Sequence, residues 1–147
     1  NYPIVIMEYQ PGRSGDYAKT FFEGYEGGYL MTDGYGGYNA VPDTFVRLCC
    51  WSHARRYWLN ALEVLAKEKR EGSNAQIGFN YCNRIFGIER ELAELTPEER
   101  YKQRLKRAQP VLDEFIGWVK VKGERTGKSA LGTAMRYTIN QWEHFCK

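Results

Sequence analysis

From residue 51 onward, apolar side chains recur at steps of three and four almost without a break, and this periodicity commits the chain to packed amphipathic helices. Ile77, Tyr81, Ile85, Ile88, Leu92 and Leu95 draw one such stripe. Ala54, Trp58, Leu62 and Leu65 share the face of an earlier helix, which the sequence predicts to be capped by Ser52 and to run to about Arg70. Gly72-Ser73-Asn74 breaks it. Thr96-Pro97-Glu98-Glu99 combines an N-cap, a proline at the first helical position and a capping-box glutamate. The helix it opens is expected to break or kink at Pro110, before the apolar stretch Val111 to Val119. Gly123 to Gly127 reads as a loop, and Ser129 starts a last helix through Trp142.

Before residue 51 the pattern is different. Tyr2 to Tyr9 is short, apolar and β-branched, and reads as a strand followed by a loop over Gln10 to Gly15. Asp16 is placed to cap a helix through Glu23, ended by Gly24 or Gly27-Gly28. Gly28 to Thr32 and Val46 to Trp51 read as two further strands. Strands alternating with helices imply an α/β sheet. The sequence thus divides into an α/β part over residues 1–51 and a helical part over residues 52–147.

Charge divides with it. Residues 1–51 hold three basic against six acidic residues, a balance of −3, and residues 52–147 hold 18 against 12, a balance of +6. A basic part beside an acidic one suits a polyanion-binding surface joined to a cation-binding one, and equally suits solvated helix faces of mixed charge. A hydrophobic fraction of 43% with 27% charged residues excludes a disordered chain. No apolar run reaches the roughly 20 residues of a membrane span. Asn1-Tyr2-Pro3 offers neither an initiating Met nor a basic signal-peptide start, so the chain reads as a trimmed piece of a cytoplasmic protein. Cys49, Cys50, Cys82 and Cys146 lack the spacing of a disulfide scaffold and read as reduced thiols. Cys50 and His53 form a lone Cys-x-x-His pair without the second pair that a structural zinc site needs.

The most pointed candidate is Asp33, which follows a strand and precedes Gly34. A carboxylate at the C-terminal edge of an α/β sheet sits where ligands gather and is a natural oxygen ligand for Mg²⁺. Asp-Gly is also a common turn dipeptide, and spacing by itself favours the turn. Arg55 and Arg56 lie with His53 in the first turn of a helix, where cations oppose the helix dipole unless a phosphate is near. Gly34 to Tyr38 is either a stacking loop for single strands or a tight loop filled by its own rings. Lys102, Arg104, Lys106 and Arg107 form a basic stripe that usually means a solvated face. Gly127-Lys128-Ser129 resembles the end of a P-loop, but the required first glycine is Lys122, so the motif fails.

Ordered phrases carry more than any of these. Tyr9-Gln-Pro-Gly-Arg-Ser-Gly15, Gly28-Tyr-Leu-Met-Thr-Asp-Gly-Tyr-Gly-Gly-Tyr-Asn39, Cys50-Trp-Ser-His-Ala-Arg-Arg-Tyr-Trp58, Ile88-Glu-Arg-Glu-Leu92, Thr96-Pro-Glu-Glu-Arg100 and Lys128-Ser-Ala-Leu-Gly-Thr-Ala-Met-Arg-Tyr137 resemble, in order, the bacterial transposases of the insertion sequence 66 family. The resemblance implies a partial ribonuclease-H-like mixed sheet with helices, followed by an all-helical insertion. It implies an Asp-Asp-Glu triad whose second Asp is Asp33, the first lying upstream and the Glu beyond Lys147, so that the piece by itself is inactive. It further implies two Mg²⁺ (or Mn²⁺) ions about 3.5–4 Å apart, strand cleavage at transposon ends and attack of the freed 3′-OH on target DNA. Double-stranded DNA is the expected partner, with a homodimer or larger assembly. Arg55, Arg56 and Arg13 become candidate phosphate contacts from position and chemistry, while the role of Cys50 and His53 stays open. The alternatives are a non-catalytic nucleic-acid or protein-binding module, or a helical dimerisation unit that would expose Trp118, Trp142 and Phe145.

Overall fold

The computed structural model describes residues 3–123 and 126–147. The chain forms two compact units, residues 1–49 and 50–147.

The first unit departs from expectation at its start. Residues 3–9 form no strand, and Ile4, Val5, Ile6, Met7 and Tyr9 are exposed. A β-branched run fixes a strand only where a neighbouring strand accepts its backbone hydrogen bonds, and no described residues do so here. Helix α1 (Gly15–Phe22) follows. Its N-cap is Ser14, whose hydroxyl accepts from the Asp16 N–H at 3.2 Å, so Asp16 stands in the first turn instead of capping. A carboxylate there still favours the helix dipole.

Strand β1 (Gly28–Thr32) and strand β2 (Phe45–Cys49) pair in parallel, Gly28 opposite Phe45 and Thr32 opposite Cys49. A short 3-10 turn over Gly36–Ala40 lies between them. Among the described residues the sheet is therefore two-stranded and parallel, not mixed, because the 3–9 segment stays out of it. β2 also ends two residues before Trp51, which already belongs to the next helix. A Cβ on Gly15 would come 2.8 Å from the Gly37 carbonyl oxygen, so only glycine lets the start of α1 approach the 3-10 turn this closely. Phe22 packs on Phe45 with ring centroids 5.0 Å apart, tying α1 to the sheet.

The second unit is helical. Helix α2 (Trp51–Glu63) is followed by a 3-10 turn (Lys67–Lys69), so the helical run expected to reach Arg70 is interrupted after Glu63. Its N-cap is Cys50, without a side-chain cap, and Ser52 lies inside the helix. Helix α3 (Asn74–Glu91) is capped by Ser73. Helix α4 (Pro97–Gln103) opens on a reciprocal capping box between Thr96 and Glu99, as its four-residue signature predicts. It does not break at Pro110. A π-helical turn over Arg104–Ala108, with the Gln109 N–H bonded to the Arg104 carbonyl, leads directly into helix α5 (Gln109–Gly123). The widened turn makes room for the proline ring, which would otherwise crowd the carbonyl four residues back. Helices α6 (Ala130–Asn140), capped by Ser129, and α7 (Trp142–Phe145) complete the unit, with the expected single last helix divided at Gln141. The loop expected over 123–127 falls partly outside the described residues.

The core of this unit is continuous through α2, α3, α5 and α6. Trp58, Cys82, Phe115, Val119, Ala134 and Met135 are fully buried in it. Trp58 is placed on both sides: its Nε1–H donates to Thr138 Oγ1 at 3.0 Å, and that hydroxyl donates to the Ala134 carbonyl at 2.9 Å. Opposite, a Cβ on Gly78 would stand 2.1 Å from the indole, so the α3 backbone lies directly on the ring. Trp118 and Trp142 pack against this core, and Phe145 is 8% exposed. The aromatic stripes are thus used within the unit, which removes the ground for a dimerisation surface made of them. No helix among the described residues is long and apolar enough to cross a membrane.

Candidate functional site

Asp33 follows Thr32 at the C-terminal end of β1, the end at which its parallel partner β2 also stops. Thr32 is buried, and its hydroxyl donates to the Leu48 carbonyl at 3.3 Å, which fixes the strand end that carries Asp33. The Asp33 carboxylate is half-buried and accepts the Tyr35 N–H through Oδ1 at 2.9 Å. That bond is an Asx-type turn, and Gly34 takes the left-handed conformation (φ 82°) that lets the chain reverse. An Asx-type turn does not by itself exclude a ligand role, since each carboxylate oxygen can accept more than one partner.

Tyr35 is the residue that sequence reasoning missed. Its hydroxyl donates to the Arg13 carbonyl, and the Arg13 guanidinium lies 4.5 Å from its ring centroid. Arg13 and Asp33, 20 positions apart in sequence, are thus joined through one residue, Tyr35, whose backbone N–H meets Asp33 and whose side chain meets Arg13. A cavity of about 400 Å³ opens beside Arg13 and Tyr35, lined also by Gln10, Tyr17, Phe21 and Thr32, and Asp33 is not among its lining residues. The Gly34–Tyr38 stretch fills space with its own rings, Tyr35 and Tyr38 meeting edge to face at 6.1 Å. Its aromatic spacing gave no sign that Tyr35 would bridge to Arg13.

In the second unit, Arg55 is held in a fixed plane. Its Nε donates to Asn83 Oδ1 at 2.7 Å, and its guanidinium carbon lies 4.6 Å from the Phe79 centroid. Arg56, its neighbour, is exposed. Cys50 and His53 are brought together by the helix start, where the His53 N–H donates to the Cys50 carbonyl at 3.1 Å. The His53 Nδ1 atom is buried without a hydrogen-bond partner among the described residues. Two members of the basic stripe of the α4–α5 region are structurally paired: Arg104 meets Glu89 through two bonds, one of 2.8 Å, and Arg107 meets Glu91. The Glu89 hydrogen bond, more than offsetting partial burial, raises the affinity of Arg104 for its proton.

Among the described residues no group of three His, Cys, Asp or Glu side chains lies close enough together to hold a metal ion. Asp33 brings one carboxylate to the strand end, so these residues alone do not make up a metal centre.

A strand-end carboxylate and an aromatic-braced arginine that share Tyr35 as a partner are groups suited to handling a phosphate and its counter-cation. Sequence comparison makes the assignment: residues 1–147 match the profile described as Transposase IS66 family, and the chain belongs to that family. The chain is also 28% identical over 159 aligned positions to a protein of Sinorhizobium fredii (strain NBRC 101917 / NGR234) described as "Uncharacterized protein y4hP". The match covers 97% of this chain and 28% of that protein. No solved structure matches.

Proposed function

We propose that residues 1–147 form an internal part of a bacterial, cytoplasmic DNA transposase, which cuts transposon ends and joins their 3′-OH groups to target DNA. In this reading residues 1–51 belong to a ribonuclease-H-like catalytic core and residues 52–147 to a helical insertion. The observation that carries it is Asp33 at the C-terminal end of a parallel strand, held by a fixed turn, in a chain of a transposase family. Asp33 is the second carboxylate of an Asp-Asp-Glu triad whose other members lie outside these residues. Two bound Mg²⁺ or Mn²⁺ ions would supply the positive charge that offsets carboxylate repulsion and stabilises the reacting phosphate oxygens.

The chain's own contributions are positional. Thr32 and the Tyr35 N–H fix the height and direction of the Asp33 carboxylate. Arg13, held over Tyr35, faces the same loop and presents a cation to the DNA backbone. Arg55 and Arg56 contact phosphates of double-stranded DNA from the helical unit. The assembled enzyme works as a dimer or larger complex, since two transposon ends are handled together. Residues 1–147 alone are inactive for want of the other two carboxylates.

The test separates charge from turn. In the intact protein, Asp33→Asn keeps the Oδ1 acceptor for the Tyr35 N–H while removing the negative charge. Mg²⁺- or Mn²⁺-dependent cleavage and joining of transposon-end DNA is expected to be lost, with folding and DNA binding kept. Full activity in the folded Asp33→Asn protein would leave Asp33 a turn residue and end this reading.

A further inference from the structure

A second cluster of polar side chains lies wholly within the helical unit. Helix α3 carries Phe79, Asn83, Phe86 and Arg90 at steps of four, three and four, which places them in one stripe. Where this stripe meets the start of α2, a cleft of about 480 Å³ is lined by Ser52, Arg55, Asn83, Phe86 and Arg90. Two guanidinium groups, a hydroxyl and an amide therefore converge on one opening. Arg56 is not among its lining residues.

Neither arginine makes an ion pair among the described residues. This is a local arrangement, since three other arginines of the unit (Arg84, Arg104 and Arg107) are paired with Glu114, Glu89 and Glu91. The two acids flanking Arg90 in sequence, Glu89 and Glu91, are thus engaged by Arg104 and Arg107 and do not neutralise it. Arg55 is also pre-oriented: Asn83 takes its Nε–H and the Phe79 ring fixes its plane, which leaves the two terminal nitrogens for a ligand. Ordering an arginine before binding lowers the entropy cost of using it, and its planar fork matches phosphate oxygens. The α2 N-terminus at the cleft has no acidic residue in its first turn and no side-chain cap. A bound anion would find the positive end of the helix dipole there.

We propose that this cleft is a phosphate clamp, in which Arg55 and Arg90, with Ser52, grip one backbone phosphate of duplex DNA. The exposed position of Arg90 and Ser52 suits a phosphate presented along a polymer, and Phe86 offers an apolar wall for the adjoining sugar. The clamp rests on reading the chain as part of a DNA-handling protein. It adds to that reading a defined site and the residues Ser52, Asn83, Phe86 and Arg90.

The experiment measures duplex DNA affinity of the intact protein against salt concentration. Each phosphate contact contributes roughly 0.9 to the slope of log K against log salt. Arg55→Gln and Arg90→Gln are each expected to weaken binding and to lower that slope by about 0.9 or less, since both grip the same phosphate. The double variant is expected to lower it by no more than about one contact's worth. Arg84→Gln, which removes a paired arginine elsewhere on α3, is the control and should leave the slope unchanged. The Arg90 side chain is exposed and makes no hydrogen bond or ion pair among the described residues, so Arg90→Gln keeps the test valid even if Arg55→Gln unfolds. Unchanged affinity and slope in folded Arg90→Gln would overturn the clamp. So would inorganic phosphate binding that Arg90→Gln abolishes while DNA affinity stays intact, because the cleft would then take the free ion. An inactive Asp33→Asn protein beside an unchanged salt slope in Arg90→Gln would refute the clamp and leave the catalytic reading standing. The reverse pair of results would do the opposite.

Discussion

Gly78→Ala should destabilise the helical unit although alanine is the better helix former, and the sign of the effect tests the packing. The new Cβ would sit 2.1, 2.3 and 2.5 Å from three atoms of the Trp58 indole. Ordinary contact is near 3.5 Å, so helix and ring must separate by roughly 1.4 Å. The ring cannot retreat freely, being fully buried and hydrogen-bonded to Thr138 at 3.0 Å. Overpacking of a filled core costs about 1–3 kcal/mol, and a clash of this depth belongs at the upper end. Helix propensity returns about 1 kcal/mol, leaving a net loss of about 2 kcal/mol. Gly87→Ala is the matched control in the same helix: nothing lies within 4 Å of its Cβ, so it should stabilise by about 0.5–1 kcal/mol. Urea unfolding followed by tryptophan fluorescence reads both, because all four tryptophans lie within residues 50–147. At an m-value of about 1–3 kcal/mol/M, the Gly78→Ala midpoint should fall by roughly 1 M. If Gly78→Ala instead stabilises as Gly87→Ala does, the α3 backbone does not rest on Trp58.

Two further outcomes follow from local chemistry. Thr96→Ala removes the hydroxyl that accepts the Glu99 N–H at 3.3 Å and should cost about 1 kcal/mol in the same unfolding assay. Burial pushes the Cys82 thiol from its ordinary 9.0 up to about 12, so it stays protonated in the fold while the unfolded chain ionises. Its contribution to stability is complete below pH 9 and is lost as pH rises toward 12, and Cys82→Ala should show a shallower decline across that window.

What was legible in the sequence was whatever local chemistry decides. The range of β1 follows from Gly28 and Asp33 at its ends, the start of α4 from Thr96 and Glu99, and α3 from its apolar period. What was not legible depends on partners remote in the chain. The β-branched run after Pro3 reads as a strand in any window, yet without a neighbouring strand its backbone has nothing to pair with. Ser52 reads as a cap by residue type, but the helix starts two residues earlier than that cap implies, at Trp51, and the cap position falls to Cys50. Asp33 stood out by position and resemblance, whereas Tyr35, Asn83 and Arg90 became visible only when folding brought them to Arg13 and Arg55.

The π turn before Pro110 has a consequence for how this chain can change over time. A π turn holds one residue more than the regular helix would, so a single deletion within Arg104–Ala108 could restore an unbroken α-helix without rotating the segments on either side. Such a deletion would return Pro110 to the interior of a regular helix, where it costs about 3 kcal/mol. Replacing Pro110 first would remove that penalty and leave the extra residue with nothing to accommodate. The additional residue and the proline therefore form a linked pair, and a lineage that loses one is under pressure to lose the other.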